Sequence, residues 1–558
     1  MKKGNKMKRI TALLLAICVM SFAFTACGPQ QSSATGEITV TGIGLSDEGI
    51  TVGGTAAPED SSAPVYVAKD IVFYLENQGD SYGEGETREE HSQQEADSHT
   101  VVHITQPGTY MITGTLSSGQ IAVDLGENAK KNPDAVVNLI LNNVNLTSTV
   151  APAIVCYSAY ECGSDDVETA TKTVDTSAAG FNISLADGSV NNISGSHVAK
   201  IYKPGTEDKL HKYDAAIESM VSININGTDG VLNLAADNEG IETKLHMTVN
   251  GGILNINSTD DSLNAGEDGV SVITINGGRL LCNANNGLEG DGIDSNGWLV
   301  INGGSVSAFS SEKSMDSGLD SDNGIIINGG TVYATGTMYD RVSPESRQNT
   351  AVFSMDEWVF NEEYVVLKNS ADETVTAFKS PSDHRTMIYS SPALTEGDYT
   401  LYKAEKVEGE NINGVYTQVT EISGMVQLGH TDRGSFPGAG PGRPDRPETG
   451  SIKPEIPEFK KPEKWQEHEG SEDLPPVGLL EIIGDDKESE RPQPEDFPGD
   501  ENMPPEFDSE RPEIDKNGSP VGFGGEGDFG FDTASLNSTF TVGKGFSMFS
   551  SVRKLPEE

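Results

Sequence analysis

Residues 290–304 read GDGIDSNGWLVINGG, and this stretch holds the two patterns that decide the fold. In its second half, Leu299 and Ile301 alternate with other side chains up to the turn that begins at Asn302. Such alternation is typical of a β-strand with one buried face. The first half carries two aspartates on either side of an isoleucine. Acids beside a buried strand repel each other, so the surrounding sequence must explain them.

The strand-and-turn pattern repeats through the middle of the chain. Asn-Gly pairs begin at five positions separated by 24, 26, 26 and 26 residues: Asn226, Asn250, Asn276, Asn302 and Asn328. Apolar residues stand three and one positions before each asparagine, and a second apolar pair follows it. One unit cannot bury its inner face alone, whereas parallel stacking gives a continuous core. The sequence therefore predicts an all-β solenoid, a parallel β-helix, and excludes an α-solenoid. Cys282 falls in an inward column, which favours a structural thiol.

A short motif, an apolar residue flanked by oxygen-bearing side chains, precedes each strand pair. Its candidate ligands are Asp214, Glu218, Asn238, Glu239, Glu242, Asp260, Asp261, Asn264, Asp291, Asp294, Asp316 and Asp320. Parallel strands lie about 4.8 Å apart, so stacked carboxylates would face each other at repulsive distance. Ca²⁺ resolves this conflict because it takes about six to eight oxygen ligands in flexible geometry. Mg²⁺ demands stricter geometry, and no paired His or Cys supports zinc. The alternative is that the acids only solvate the turns.

Composition divides the rest of the chain. Residues 431–530 hold 16 of the 27 prolines, a composition that favours disorder. The predicted segments are 1–26 (signal peptide), 27–64 (polar linker), 65–213 (N-terminal cap and early coils), 214–335 (regular repeats), 336–430 (β-rich extension), 431–531 (disordered acidic segment) and 532–558 (returning C-terminal strands).

The N-terminus indicates export. Basic residues precede the apolar run 12–26, as in a secretory signal. The run ends in Phe24-Thr25-Ala26-Cys27, which resembles the lipobox of bacterial lipoproteins. This resemblance implies that Cys27 is lipidated and that the mature protein is anchored to the outer face of the cell membrane. A plain secretory signal with an incidental cysteine is the alternative. Cys156 and Cys162 either form a disulfide or remain separate thiols.

Charge restricts the partners. The net charge of −48 excludes nucleic acid, because phosphate binding needs a basic face. Divalent cations and polysaccharides are more natural partners. We expect a monomer that touches the membrane only through its lipid anchor.

A series of further motifs occurs in order between about residues 100 and 400. It comprises Gly108-Thr109-Tyr110, Leu139-Ile140-Leu141-Asn142, Leu185-Ala186-Asp187-Gly188, the acid motifs and Tyr389-Ser390-Ser391-Pro392. With these motifs the chain resembles a family of bacterial carbohydrate-binding lipoproteins. The resemblance implies a right-handed coil, calcium on the acid-motif side, affinity for cellulose or pectin-type sugars, and no known catalysis. The family often has a basic residue after the motif's apolar residue, where this chain has Glu218, Glu242, Asp294 and Asp320.

The leading hypothesis is therefore a non-catalytic, calcium-dependent, extracellular lipoprotein that binds plant cell-wall or acidic polysaccharides. Trp298 and Tyr333 have outward parity and are the predicted sugar platforms, since aromatic faces pack on sugar rings. For Trp298 the alternative is that it covers a neighbouring loop.

Two other functions remain open. A pectate-lyase-like or polygalacturonase-like enzyme occurs on the same fold, and a lyase would need a base near Ca²⁺. Lys244 is the only basic residue of the repeats beside an acid motif, so no catalytic residue is assigned. The third hypothesis is a calcium-stiffened adhesin or spacer.

Overall fold

The computed structural model describes residues 39–203, 209–285, 287–428, 539–542, 544 and 546–550. As predicted, this part of the chain is almost entirely β. Its single α-helix, α1 (Gln93–Ser98), begins at the cap Ser92, whose Oγ accepts the N–H of Glu95 at 3.1 Å. Two 3₁₀ helices span Thr87–Glu89 and Ala129–Lys131. No helix in the described ranges is long and apolar enough to cross a membrane. The predicted signal, Cys27 and the segment 431–531 lie outside the described residues.

The strands of the N-terminal third are β1 (Val40–Leu45), β2 (Thr51–Val52), β3 (Thr55–Ala56), β4 (Val65–Ala68), β5 (Thr100–Ile104), β6 (Gly108–Leu116), β7 (Gly119–Asp124), β8 (Val137–Thr147), β9 (Ile154–Ser158), β10 (Phe181–Leu185), β11 (Val190–Gly195), β12 (Val198–Tyr202) and β13 (Lys209–Tyr213). The middle third contains β14 (Ala215–Ser219), β15 (Ile223–Gly227), β16 (Val231–Ala236), β17 (Glu239–Thr243), β18 (His246–Val249), β19 (Ile253–Asn257), β20 (Leu263–Ala265), β21 (Val272–Ile275), β22 (Arg279–Asn283), β23 (Asp294–Ser295), β24 (Trp298–Ile301), β25 (Ser305–Phe309), β26 (Gly324–Ile327) and β27 (Thr331–Gly336). The remainder contains β28 (Thr350–Val359), β29 (Tyr364–Asn369), β30 (Thr374–Phe378), β31 (His384–Ser390), β32 (Gly397–Ala404), β33 (Lys406–Ile412), β34 (Val415–Ser423), β35 (Val426–Gln427), β36 (Thr539–Val542) and β37 (Phe546–Ser550).

The repeats stack as coils whose strands fall into three parallel columns. The first column is the sheet β5, β7, β9, β14, β17, β20 and β23, with β4 antiparallel at its edge. The second column runs β10, β15, β18, β21, β24 and β26, and the third runs β11, β16, β19, β22, β25 and β27. The long strands β6 and β8 contribute to both the second and third columns. The Asn-Gly turns join the second column to the third.

Inward side chains of the three columns form one core. Ile273 and Ile275 of β21 are fully buried, and so is Leu280 of β22. Cys282 pairs in register with Ile256 and Ala308 and is also fully buried, as the alternation predicts. Burying one such aliphatic side chain contributes about 1.5–3 kcal/mol, which explains why the period-two pattern persists through every coil.

Residues 27–64 are not linker throughout, so that prediction is wrong for residues 40–56, which contain β1, β2 and β3. Strand β1 pairs in parallel with β6 and places Ile43 beside Ile112. Both side chains are buried in the main core, with 1% and 0% exposure. The alternation of buried and exposed residues in Val40–Leu45 therefore belongs to a strand at the edge of the stacked coils.

The extension closes the far end of the coils. Strand β31 pairs antiparallel with both β27 and β28, and β37 adds to β28 in parallel. Strands β29, β30 and β32–β36 form a second, antiparallel sheet, in which β36 pairs with β32. A core cluster that includes Tyr333, Phe378 and Tyr389 lies between the last coils and this sheet.

A second covering element lies on the first column. The hairpin of β12 and β13 packs with the N-terminal segment against outward residues of early coils. Val198 of the hairpin and Val155 of β9 belong to the same buried cluster. This cover ends where the acid motifs begin. Cys156 is a buried free thiol, and Cys162 is also free.

Candidate metal centre

Four of the five acid motifs contain a strand of the first column (β14, β17, β20 and β23), and the fifth joins that column through an isolated bridge at Leu319. The apolar residue of each motif points inward: Ile217, Ile241, Leu263, Ile293 and Leu319 are fully buried. The next residue along the chain must then face outward. Register places these outward residues in one row, in the order Glu218, Glu242, Asn264 and Asp294. A bridge between Ile293 and Leu319 brings Asp320 to the end of this row.

Three residues before each member of that row lies a second row. It contains Glu239, Asp261 and Asp291, with uncharged residues at both ends. The two rows run side by side along one face. Two groups of carboxylates result, one at each end of this face.

We define the first acid cluster as Asp214, Glu218, Glu239 and Glu242. Asp214, Glu239 and Glu242 each offer one carboxylate oxygen, and these three oxygens lie within 4.8 Å of one another. Asp214 is 3% exposed and Glu239 is 5% exposed. Lys212 of β13 forms an ion pair with Asp214. One Lys therefore approaches a group of four acids.

The first acid cluster is strained electrostatically. Burial raises the pKa of Glu218 well above its usual range, and the neighbouring Glu242 carboxylate raises it further. Burial also raises the pKa of Glu239, with added repulsion from Glu242 and Asp261. Burial raises the pKa of Glu242 as well, although the positive charge of Lys212 opposes this shift. Full ionisation therefore needs another cation.

We define the second acid cluster as Asp261, Asp291, Asp294 and Asp320. Burial and the Asp320 carboxylate raise the pKa of Asp291 to about 9 and that of Asp294 to about 7. Burial and Asp340 raise the pKa of Asp320 to about 6. Burial and Asp291 raise the pKa of Asp261 well above its usual range.

Backbone amides satisfy part of the second acid cluster. The N–H of Asp291 donates to Oδ1 of Asp261 at 2.6 Å, and the N–H of Ser317 donates to Oδ1 of Asp291 at 2.6 Å. These bonds link successive coils and orient the carboxylates. They remove no negative charge, so mutual repulsion remains.

The donor set fits a hard divalent cation. Buried Oε2 of Glu239 and Oδ1 of Asn264 have no hydrogen-bond partner in the described part of the chain. Nδ2 of Asn264 donates to the other oxygen of Glu239 at 3.1 Å, which fixes both side chains in place. A buried acceptor without a partner costs about 1–3 kcal/mol, so two of them side by side indicate a missing donor or cation. Carboxylate and amide oxygens are the ligands Ca²⁺ prefers.

Besides Asn264, which lies between the two clusters, three of the predicted ligands lie outside them. Nδ2 of Asn238 donates to the backbone carbonyl of Asp214 at 3.2 Å. Oδ2 of Asp316 accepts the N–H of Gly290 at 2.7 Å. Burial, with Glu289 nearby, raises the pKa of Asp260. The other nine predicted ligands belong to a cluster or, like Asn264, lie between the two.

The structure corrects one of the two predicted sugar platforms. Tyr333 is fully buried and stacks on Phe378 at a centroid distance of 4.9 Å, because the extension folds over the outer face of β27. It cannot contact a polysaccharide, so this prediction is wrong. Trp298 is half-buried and packs with Val300 and Val174, the second of which lies in a neighbouring loop.

Two charged residues escaped the sequence-based prediction. Lys212 belongs to a hairpin that covers the first column, and Asp340 follows the last coil. Lys212 stands two residues before Asp214, so in a strand both side chains lie on the same face. This spacing was the signal in the sequence that could have identified Lys212. Asp340 offered none, since it lies beyond the repeats.

Lys244, the basic residue that a lyase would need near Ca²⁺, is paired with another acid. Its Nζ donates to Glu267 at 2.6 Å on an exposed edge. Both groups lie at the rim of the first acid cluster. The side chain is thus engaged in a surface ion pair.

The chain is a β-rich protein of stacked coils with an acidic face on one column. A family model described as carbohydrate-binding domain-containing protein matches residues 98–381, and the chain belongs to that family. A carbohydrate-binding domain-containing protein from Acetivibrio thermocellus is 30% identical over 155 residues, which is 28% of this chain and 44% of the relative. The chain thus spans less than half the length of that curated relative.

One solved structure is also similar. It is described as the polysaccharide lyase-like protein from C. thermocellum, in a gadolinium derivative. The similarity covers 53% of this chain and 90% of that chain, at 20% identity and a TM-score of 0.29.

Proposed function

We propose that this chain is a non-catalytic polysaccharide-binding protein whose coils form a right-handed parallel β-helix and bind Ca²⁺ at the two acid clusters. Family membership supports the carbohydrate ligand. The three parallel columns support the helix. The observation that carries the calcium assignment is the buried, unpartnered Oε2 of Glu239 within the first acid cluster.

Different residues would bind the cations, space the carboxylates and orient them. Glu218, Glu239 and Glu242 would hold a cation at the first acid cluster, and Asp291 and Asp294 would do so at the second. Bound Ca²⁺ would supply the positive charge that lets stacked carboxylates ionise together. The inward isoleucines fix the height of each carboxylate along the stack. Backbone donors such as Ser317 N–H fix its orientation.

We also place the protein outside the cell membrane, anchored through Cys27, with plant cell-wall or acidic polysaccharide as its ligand. The signal-like N-terminus and the polar sequence after Cys27 support export.

Calorimetric titration of Ca²⁺ into EDTA-treated protein tests the assignment. Glu239→Gln and Asp294→Asn should each weaken binding, whereas Asp187→Asn, which removes an exposed acid away from the clusters, should not. Affinity electrophoresis in gels that contain polygalacturonate or soluble neutral glucans then tests the carbohydrate ligand. A chain that binds glycan but gives no heat with Ca²⁺ would disprove the calcium part alone.

A second candidate, a polysaccharide-degrading enzyme, is favoured by one observation. The pKa values of Asp294 and Asp320, about 7 and about 6, lie where a general acid works at neutral pH. Incubation of the protein with polygalacturonate, with and without Ca²⁺, followed by reducing-end and unsaturated-product assays, separates the two functions. Product formation that Asp294→Asn abolishes would establish the enzyme.

A further inference from the structure

A loop crosses the outer face of the second column and forms one side of a groove. We call residues 161–177 the strap. At its start, the carboxylate of Glu161 accepts the N–H of Ser222 at 2.7 Å. Further along, Lys172 forms an ion pair with Glu345, beyond the last coil. Near its end, Oγ1 of Thr176 donates to Oδ1 of Asn224 at 2.7 Å. The strap is therefore attached at two points to the coil of β15 and at a third point beyond the last coil.

An apolar patch anchors the middle of the strap. Val174 packs on the outward residues Val272, Val300 and Ile326, next to Trp298. Outward positions on such a column normally face water, yet Val272 is 1% exposed and Val300 is 8% exposed. Trp298 thus packs beneath the strap, in agreement with the alternative that it covers a neighbouring loop.

Four of the five members of an asparagine ladder line the other side of the groove: Asn250, Asn276, Asn302 and Asn328. Its members, one from each Asn-Gly turn, are Asn226, Asn250, Asn276, Asn302 and Asn328. Nδ2 of each donates to Oδ1 of the preceding member at 2.9–3.0 Å. An amide has two N–H groups and two acceptor lone pairs, so every member keeps one donor and one acceptor for a ligand. Asn250, Asn276 and Asn302 are exposed.

The groove between the strap and the ladder has a volume of about 400 Å³. Thr248, Thr274 and Val300 lie between its two sides, and Arg347 contributes to its lining. The lining is predominantly uncharged. Lys172 is engaged by Glu345, and Asp175 accepts the N–H of Ser177 at 2.9 Å.

We propose that this groove binds a neutral, hydroxyl-rich polysaccharide that lies along the asparagine ladder. The ladder repeats every strand spacing, about 4.8 Å, and presents one donor and one acceptor at each step. Sugar hydroxyls are matching donors and acceptors, and the half-buried methyl group of Thr274 suits the apolar face of a pyranose ring. This inference rests on the proposed polysaccharide binding and adds its location and the charge of the ligand.

Charge decides against an acidic chain at this site. A polyuronate would have to approach a protein of net charge −48. Among the residues that line the groove, Arg347 is the one cation that is not paired with an acid. Repulsion between like charges would oppose that approach over about 8–10 Å at physiological salt. A neutral polysaccharide has no such barrier and needs no calcium bridge.

The fold contains a matched control. A second ladder, which includes Asn145, Asn192, Asn233 and Asn255, runs along the third column with the same amide-to-amide hydrogen bonds. None of its members lines the groove. Asn233 corresponds to Asn276, because each lies in the interior of its ladder.

The experiment is isothermal titration of neutral hexasaccharides (gluco-, xylo- and manno-configured) and of hexagalacturonate into the full chain. Asn276→Ala should weaken binding of the preferred neutral sugar roughly three- to tenfold, as expected for one or two lost hydrogen bonds. Thr274→Trp should abolish it by filling the groove. Asn233→Ala and Asn233→Trp should bind as the parent does. Thermal melting of every variant checks folding, and Asn276→Ala provides the test if Thr274→Trp does not fold.

The outcomes separate the two proposals. Neutral-sugar binding that the groove variants weaken and the Asn233 variants preserve supports the inference. Unchanged binding in the groove variants, or a preference for hexagalacturonate that Asn276→Ala lowers, overturns the inference but leaves the proposed function intact. Absence of any glycan binding by the parent, tested also against the polymers, overturns both.

Discussion

Glu218 and Glu242 are register partners on adjacent parallel strands, where burial raises the pKa of both carboxyls and the neighbouring Glu242 charge raises that of Glu218 further. Asp291, Asp294 and Asp320 repeat this crowding farther along the column. Neighbouring parallel strands normally stack uncharged or apolar side chains. A column of acids is stable only if protons or cations offset the repulsion.

Metal-free protein should lose stability as pH rises. The folded pKa values of Asp291, Asp294 and Asp320 lie near 9, 7 and 6, above the unfolded value near 4. The native state therefore binds more protons than the unfolded state between about pH 4 and pH 9, and stability falls across that window. We expect a lower Tm at pH 8 than at pH 5.5 after EDTA treatment. Excess Ca²⁺ should narrow the difference, and Asp291→Asn should reduce the pH slope. A Tm independent of pH without metal would contradict this.

Lys212 occupies part of the first acid cluster with its own positive charge, through its ion pair with Asp214. Replacing it with methionine should leave that cluster short of a cation. We expect Lys212→Met to bind Ca²⁺ or Tb³⁺ more tightly than the parent, by roughly tenfold for the loss of one competing charge. Terbium luminescence measures the change.

Lys244→Met is the matched control for that experiment. Lys244 lies at the rim of the same cluster but pairs with Glu267 on an exposed edge. Its removal should change Tb³⁺ affinity much less. Equal effects of the two substitutions would show that long-range charge, not the Lys212–Asp214 contact, controls the site.

The sequence predicted the second and third columns well because their apolar residues alternate on both sides of a fixed Asn-Gly turn. The first column was harder to predict. In the repeats its strands are short, with one or two inward residues, such as Ile241, between acids, and so short a stretch has no measurable period. The acid motifs therefore looked like turns. The lateral alignment of Glu242 with Asn264 was predicted only through the spacing of the motifs.

Contacts between distant segments were beyond the sequence. Tyr333 has outward parity, as predicted, but Phe378 and Tyr389 cover it from a sheet that forms later in the chain. By contrast, Lys212 and Asp214 stand two residues apart, so the sequence did carry a signal for their ion pair. Parity gives the face on which a side chain lies, not what covers that face.

His197 should tie the N-terminal segment to the coils as an imidazolium. Its Nε2 lies 3.1 Å from Oε1 of Glu89, and its Nδ1 lies 3.0 Å from Oδ1 of Asp237. Burial alone would lower the pKa of His197, but hydrogen bonds to the two carboxylates more than offset this and raise it to about 9.

The His197 contribution is thus fully present below about pH 6.5 and is lost as pH rises through about 9. We expect His197→Gln to lower the free energy of unfolding by about 3 kcal/mol at pH 6, since it removes the positive charge that lies between two half-buried carboxylates. The gap between parent and variant should shrink at pH 10. Urea unfolding at both pH values measures it, and a gap that does not depend on pH would rule out the charged form.

Tyr333 provides a test of the corrected aromatic assignment. It is fully buried between Phe309 and Phe378, and among the described residues its hydroxyl has no hydrogen-bond partner. Tyr333→Ala should lower the free energy of unfolding by about 3–5 kcal/mol through the cavity it creates. Tyr333→Phe should raise it by about 1 kcal/mol, because an unsatisfied buried hydroxyl is removed. Glycan affinity of Tyr333→Phe should equal that of the parent. If Tyr333→Phe lost glycan affinity but no stability, Tyr333 would be a sugar contact after all, because a side chain buried in the core can affect affinity only by changing the stability of the fold.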